Sequence, residues 1–420
     1  MLHLRRLLCA TALLCLTLPG PALACGGFFC DTGGPGRPPP PAPPVQVSER
    51  VVFVHEPGEI TAYIQVAWSG DPRSFAWVVP VPRAPEIDTA EPGLFDALDA
   101  ATAPQFTFLR QHSTETVTDT GESSGACGGG SSGGGGASVA TTTEDESETA
   151  SEVQVLGRTN VGPYETVTLA ADDAGALADW LRANGYGMPP NAADILSGYV
   201  AKGGVFVGLK LAPGEAGGTL VPLRLHYPGD EPCIPLRITA LSTAPTLTVN
   251  AMIIGASRWL PATWREAYPD RDRVRPNFGA PTTYATEVDR AVRDAGGRAF
   301  VTEYAGPTAA LSAEVVEPSA ADLLSRGAYI TRLFTRVRDI DLRDDPTFYR
   351  PETPQRDVGR EHTVDLRGDA RYARHEVRRI TLQTAPALAP LALGLLPLLL
   401  RRRRARVEST AGGLLPDACH

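Results

Sequence analysis

Between residues 45 and 82 the apolar side chains recur with a period of two, a pattern that a half-buried strand requires and an amphipathic helix cannot hold. Val45 and Val47 lead into Val51-Val52-Phe53-Val54 and the turn His55-Glu56-Pro57-Gly58. Ile60, Ala62, Ile64, Val66 and Trp68 then alternate with Thr61, Tyr63 and Gln65, and Phe75, Trp77, Val79 and Val81 repeat the alternation up to Pro82. β-Branched and aromatic residues in that register predict three strands joined by short turns, a β-rich N-terminal meander. Glu91-Pro92 opens a short helix with Leu94, Phe95 and Leu98 on one face.

The second half mixes the two periodicities. Strands are expected over 152–156 and 165–170, and again over the apolar runs 205–211, 220–227, 236–241 and 247–254. Asp172 and Asp173 cap a helix that turns Leu177, Trp180 and Leu181 inward and stops at Gly185. A further helix carries Ile195, Leu196, Tyr199 and Val200, and another carries Tyr284, Val288 and Val292 up to Gly296-Gly297. Ser319-x-x-Asp322 reads as a capping box before Leu323-Leu324, and Tyr329 to Val337 as a last strand. Strands in runs with occasional helices predict an α+β fold with a mixed sheet.

Two stretches cannot join a core. Residues 25–44 are a Cys- and Pro-rich spacer, extended and semi-rigid. Residues 121–150 are rich in glycine and serine and then in Glu144, Asp145, Glu146 and Glu148. This second stretch lacks the terminal Gly-Lys-Ser/Thr of a phosphate-binding loop and reads as a flexible linker. They leave a β-rich part at 45–120 and an α+β part at 151–380.

The two ends fix the expected address. Arg5 and Arg6, the apolar run 7–18 and Ala22-Leu23-Ala24 make residues 1–24 a signal peptide, with Cys25 the first mature residue. Residues 381–400 end in an uncharged, leucine-rich run followed at once by Arg401 to Arg404. About twenty residues suffice to cross a bilayer. The arginines hold the basic tail 401–420 in the cytoplasm by the positive-inside rule. A membrane helix or a removable sorting tail both fit this segment. The expected protein is therefore exported to the bacterial cell envelope, single-pass, with its ectodomain outside the cytoplasm.

Charge narrows the partners. The formal net charge of -9 excludes a general nucleic-acid binder, which carries a basic excess. Lys202 and Lys210 are the only lysines, so lysine chemistry has two candidates in the whole chain. The partners expected are the membrane through the C-terminal helix and an envelope protein or glycan.

Cys9 and Cys15 leave with the signal peptide, and Cys419 lies on the cytoplasmic side. Cys25, Cys30, Cys127 and Cys233 remain outside, where an oxidising compartment favours two disulfides with three connectivities open. For Cys25 and Cys30 a short structural bridge competes with three alternatives. A lipid on Cys25 prefers a leucine earlier than Leu23, a redox dithiol prefers two intervening residues rather than four, and zinc needs two further ligands where His55 alone among His and Cys follows within thirty residues of Cys30.

No other motif assembles a reaction. His55, His112, His226, His362 and His375 show no metal-ligand spacing, although His226 precedes Cys233 by seven residues and offers a base for a thiol nucleophile. Gly255-Ala256-Ser257 lacks the rest of a nucleophile elbow. Asp339, Asp341, Asp344 and Asp345 are oxygen ligands of the kind calcium takes, but Arg338 and Arg343 intervene and read instead as ion-pair partners in a surface loop. Trp68, Phe75 and Trp77 either line a carbohydrate or peptide groove or fill the core. No metal and no cofactor is expected.

Six stretches taken in order resemble a known family: CGGFFC at 25–30, FAWVVPVP at 75–82, FDALDAATAP at 95–104, VGPYETVTL at 161–169, WLRANGY at 180–186 and PLRITA at 235–240. Together they are similar to the bacterial exported family called domain of unknown function 2330, over roughly residues 25–337. The family has no established activity, so the resemblance implies an exported bacterial protein and no catalytic residue. Two functions follow as expectations. The first is a non-enzymatic binding or structural ectodomain; the second is an exported hydrolase or thiol-dependent enzyme with a site built from distant residues.

Overall fold

A computed structural model describes residues 30–31, 45–69, 76–110, 114–121, 153–211, 221–277 and 281–369. The expected signal peptide, the spacer apart from 30–31, the expected linker from 122 to 150, the expected membrane segment 381–400 and the basic tail lie outside the described residues, as do Phe75, His112 and His375. Among the described residues no helix is long and apolar enough to cross a membrane.

The fold is α+β with mixed sheets. In chain order the early strands are β1 (Cys30–Asp31), β2 (Val45–Glu56), β3 (Glu59–Ser69), β4 (Ala76–Val81), β5 (Glu86–Thr89), β6 (Gln105–Leu109) and β7 (Thr114–Thr118). The middle ones are β8 (Val153–Val161), β9 (Tyr164–Ala171), β10 (Tyr186–Gly187), β11 (Val205–Leu211) and β12 (Leu223–Pro228). The last are β13 (Thr243–Gly255), β14 (Leu260–Pro261), β15 (Arg265–Glu266), β16 (Ala299–Pro307), β17 (Tyr329–Arg338), β18 (Phe348–Tyr349) and β19 (Glu361–Asp365). Among the described residues six α-helices accompany them: α1 (Leu94–Thr102), α2 (Ala174–Ala183), α3 (Ala192–Val200), α4 (Leu236–Thr239), α5 (Tyr284–Asp294) and α6 (Pro318–Ser325).

Chain contacts divide into two units. The first spans residues 1–107 and 116–362, and the second 108–115 and 363–420. The first unit is built on an eight-stranded sheet of order β15-β16-β17-β13-β2-β3-β12-β5 and a four-stranded sheet of order β4-β11-β9-β8. In the larger sheet β13 runs parallel to β2 and β15 parallel to β16, while the other pairs are antiparallel. In the second unit, Arg110 ion-pairs with Glu115, Arg367 with Asp365, and the Leu366 N–H donates to the Leu109 carbonyl at 2.9 Å.

Alternation sorts the core of the first unit into three apolar layers. Val51, Phe53, Ile64, Val249, Ile253 and Leu333 leave one face of the large sheet and meet Trp77, Val79, Val207 and Leu209 of the small one. The opposite face of the large sheet sends Val52, Val54, Met252 and Ile330 against Leu94, Phe95 and Leu98 of α1 and Leu323 and Leu324 of α6. The outer face of the small sheet buries Val78, Leu169 and Phe206 under α2 and α3. Each such side chain contributes about 1.5–3 kcal/mol on burial. Trp77 belongs to the inter-sheet core and Trp68 packs against it, so these two tryptophans fill rather than line a groove.

Three local expectations are corrected. The meander stops at the β2–β3 hairpin: β4 leaves for the small sheet, where it pairs with β11, because Ala76 to Val79 is apolar on both faces and needs cover on both. The run 236–241 is helix α4 with its following turn rather than a strand; a short apolar run carries no period of its own. Helix α6 is capped by Glu317, whose carboxylate accepts from the Ala320 N–H at 2.6 Å. Ser319 instead donates its hydroxyl to Glu317.

Candidate functional site

β2 brings a carboxyl group into the space between the two sheets. A bulge between Gln46 and Ser48 resets its register, after which Glu49, Val51 and Phe53 share the inward face and pair with Val66, Ile64 and Ala62 of β3. There they border a half-open pocket with about 20 Å³ of room for a water-sized group, lined on the other side by Val79, Val81, Tyr227 and Cys233. That volume holds about one water-sized group.

Glu49 is 5% exposed and accepts one hydrogen bond, from Nε2 of Gln46 at 2.9 Å. Among the described residues no cation lies within ion-pairing distance of it. Burial pushes its pKa up to about 7, Gln46 opposes the shift, and the negative charge of Asp345 adds to it.

Cys233 is half-buried and, among the described residues, its thiol is free. The segment that carries it is stitched to the chain before β18. Cys233 bridges Thr347, the Ile234 N–H donates to Pro346 at 3.1 Å, and the Phe348 N–H donates to Pro232 at 3.0 Å. Burial raises the thiol pKa well above its usual value, Asp345 raises it further, and Lys202 acts in the opposite sense. The group is therefore a protonated thiol at neutral pH, not a thiolate nucleophile. Of the other expected disulfide cysteines, Cys30 is placed as backbone opposite Gly187, and Cys25 and Cys127 lie outside the described residues.

Asp345 lies behind the cavity lining, where its charge acts on both Glu49 and Cys233. One of its oxygens accepts from the Tyr199 hydroxyl at 2.9 Å and from the Arg237 N–H in the first turn of α4 at 2.8 Å. Burial raises its pKa, against these two bonds and the charges of Lys202 and Arg237. Its neighbours in sequence disperse. Asp344 accepts from Trp264 at 2.9 Å and pairs with Arg298, Asp341 pairs with Arg338, and Asp339 accepts from the Ile340 N–H. The four aspartates thus point at separate sets of partners, and among the described residues no His, Cys, Asp and Glu group is arranged to hold a metal.

The pairing of His226 with Cys233 does not assemble. Leu225 and Tyr227 face the cavity, so His226 between them projects from the other side of β12. Its Nδ1 lies 3.0 Å from the Thr61 hydroxyl and its Nε2 3.1 Å from Glu59. A hydroxyl, an imidazole and a carboxylate in series are the connections of a catalytic triad. Thr61, however, is 1% exposed in the middle of a paired strand, so no substrate reaches its oxygen. His55 packs on Trp259 with ring centroids 4.8 Å apart, and His362 packs on Phe106 at 5.3 Å. Burial and the charge of Arg271 push the His362 pKa down to about 4.

A second polar cluster, which periodicity alone does not reveal, crosses the helix-facing side of the large sheet. Gln65, Arg50 and Asn250 are cross-strand neighbours on β3, β2 and β13. Asp99 of α1 descends onto this row. It accepts from Asn250 at 2.7 Å and pairs with Arg50 at 2.9 Å and with Arg332 of β17. Arg332, 0% exposed, also pairs with Glu303 of β16 at 2.7 Å. Burial alone would lower the Arg332 pKa, but Asp99 and Glu303 more than offset it. Burial raises the pKa of Glu303, which Arg332 opposes. Two arginines are neutralised here beneath α1 by Asp99 and Glu303 and, at the surface end, by Asp96, which pairs with Arg50 at 2.8 Å.

With this geometry in view, comparison with known proteins gives one match. The family described as an uncharacterized protein conserved in bacteria (DUF2330) matches residues 30–349. No curated protein and no solved structure matches.

Proposed function

The chain belongs to the DUF2330 family, conserved in bacteria, and on that premise we propose that it is a non-enzymatic ectodomain of the cell envelope, anchored by residues 381–400 and working by binding an envelope protein or glycan or by a structural role. The observation that carries this reading is how its interior functional groups are used. Asp99, Glu303, Arg50 and Arg332 neutralise one another under α1, and the cavity beside Glu49 holds a water-sized group next to a protonated thiol. Reactive chemistry needs a nucleophile or base that substrate can reach, and these groups are spent on the fold. The sequence signals at 1–24 and 381–404 support the address.

The test is mass spectrometry, without reduction, of the natively expressed protein from membrane and soluble fractions. A membrane-held chain that begins at Cys25 and retains 381–400 is the expected result; a soluble cytoplasmic chain that begins at Met1 overturns the reading. The alternative, an exported hydrolase or thiol-dependent enzyme, rests on one observation, the placing of Glu49 beside Cys233 in a shared cavity. Rapid alkylation of Cys233 at pH 7 in the folded protein would favour it, because only a thiolate reacts fast.

A further inference from the structure

We propose that Glu49 is a proton-operated latch on the seam between the two sheets: neutral, it lets β2, β4 and the segment 233–235 close on one another, and ionised, it draws water into the cavity and loosens that seam.

The argument begins with what other buried carboxylates receive. Asp99, Glu287 and Glu303 each hold an arginine. Asp119 takes two donors, the Thr282 hydroxyl at 2.6 Å and the Gly121 N–H at 3.1 Å. Glu49 takes one, from the uncharged amide of Gln46. An ionised carboxylate in an apolar setting without a cation is costly, and the cheapest remedies are a proton or water. The proton is the remedy while the seam stays closed. Water becomes the remedy once the proton leaves, and the cavity beside Glu49 is where the first molecule fits.

Of the surrounding charges, that of Asp345 pushes in the same direction. From the chain before β18 comes Asp345, a negative charge; the segment after β12 supplies Glu231 and the protonated Cys233; β12 supplies Tyr227. α3 supplies Tyr199, with Lys202 just beyond it, and α4 supplies Arg237. Both of these cations act on Asp345. β3 and β4 contribute only apolar walls: Ala62, Ile64, Val79, Pro80 and Val81. No group packed against Glu49 therefore stabilises its charge except Gln46. The elements it would release are held on the cavity side by packing rather than by ion pairs. The proposal is independent of whether the protein is an enzyme or a binding module.

Hydrogen exchange of the full chain, corrected for intrinsic rates, reads the latch directly. With the carboxyl pKa near 7 in the closed seam and near 4.5 in the opened one, opening should become about tenfold easier per pH unit between 4.5 and 7 and level off above 7, about tenfold in all between pH 6 and 8.5. Protection of 76–81 and 233–239 is expected to fall by that factor between pH 6 and 8.5, while α1 and β13 keep theirs. Glu49→Gln, which keeps the shape and removes the ionisation, is expected to show no fall. Unchanged protection in the unsubstituted protein, or an equal fall in E49Q, overturns the proposal. Should E49Q not fold, the unsubstituted protein still decides. The infrared difference spectrum between pH 6 and 8.5 must show loss of a buried, protonated carboxyl band together with the exchange change. A spectrum without that loss overturns the proposal.

Discussion

At Glu49 and His362 two side chains couple folding to pH with opposite signs. Glu49 keeps its proton up to about pH 7 when folded but gives it up near 4.5 when unfolded. The folded state thus binds the extra proton, and this stability is fully present below pH 4.5 and lost as pH rises through 7, by roughly 3 kcal/mol. His362 stays neutral down to about pH 4 in the fold against 6.5 outside it, so it costs stability as pH falls below 6.5, by a smaller amount because the ring is partly solvated. Urea unfolding is expected to show E49Q more stable than the parent at pH 8 and no better at pH 4.5; equal midpoints at pH 8 contradict this. Asp99 makes a second residue-scale test. Asp99→Ala strands Arg332, 0% exposed, and Arg50 without their shared carboxylate, and a loss of about 3–5 kcal/mol is expected in the same assay. A loss below about 1 kcal/mol would mean that water replaces the carboxylate. Of these residues the sequence names Cys233 readily, as one of few cysteines, yet not its setting. Glu49 carries a legible signal, since it stands in register with Val51 and Phe53 where an apolar residue belongs. Arg332 carries one too, between Ile330 and Phe334 on the buried register of β17. Their partners do not show, because Asp99 lies 233 residues from Arg332 and Asp345 still further from Glu49.

Helices and strands were legible where a period or a cap acts locally. α2 begins where Asp173 accepts from the Ala176 N–H at 2.7 Å, and α5 ends at Gly296 and Gly297 with φ of 99° and 86°, a conformation that other residues enter only with strain. The β2–β3 hairpin follows from its alternation and the Gly58 turn at φ 82°. Illegible elements are those decided by distant cover. β4 looks like the third strand of a meander until the small sheet claims its second apolar face, and α4 is a single turn whose Arg237 N–H is held by Asp345 from beyond β17. The start of α6 shows how a local rule misleads. Ser319-x-x-Asp322 satisfies the capping pattern, yet Pro318 at the first helical position moves the cap back to Glu317. Thermal unfolding should rank the substitutions accordingly: Glu317→Ala loses about 1 kcal/mol, and Ser319→Ala, which removes only a support of that carboxylate, loses less. The reverse order would return the cap to Ser319.

Across the whole chain, the linker at 121–150 divides the sequence without dividing the fold. β2 from before it pairs along its length with β13 from after it, and β3 pairs with β12. In the small sheet β4 pairs with β11 in the same way. The part before the linker has a hairpin and one short helix with which to cover Val51, Phe53, Trp77 and Val79. A hairpin with so little cover is marginal in water. The part after it lacks the two strands that separate β13 from β12. Neither part therefore holds a complete core. Continuity of the chain through 122–150 should matter far less, since the strand pairing already joins the parts. A protease site inserted near residue 133 tests both statements. After cleavage the two fragments are expected to co-purify and to unfold in one transition close to that of the intact chain. Expressed singly, each fragment should show no cooperative unfolding. A fragment that unfolds cooperatively by itself would make the linker a true domain boundary, and the interleaved sheet a docking of two finished folds.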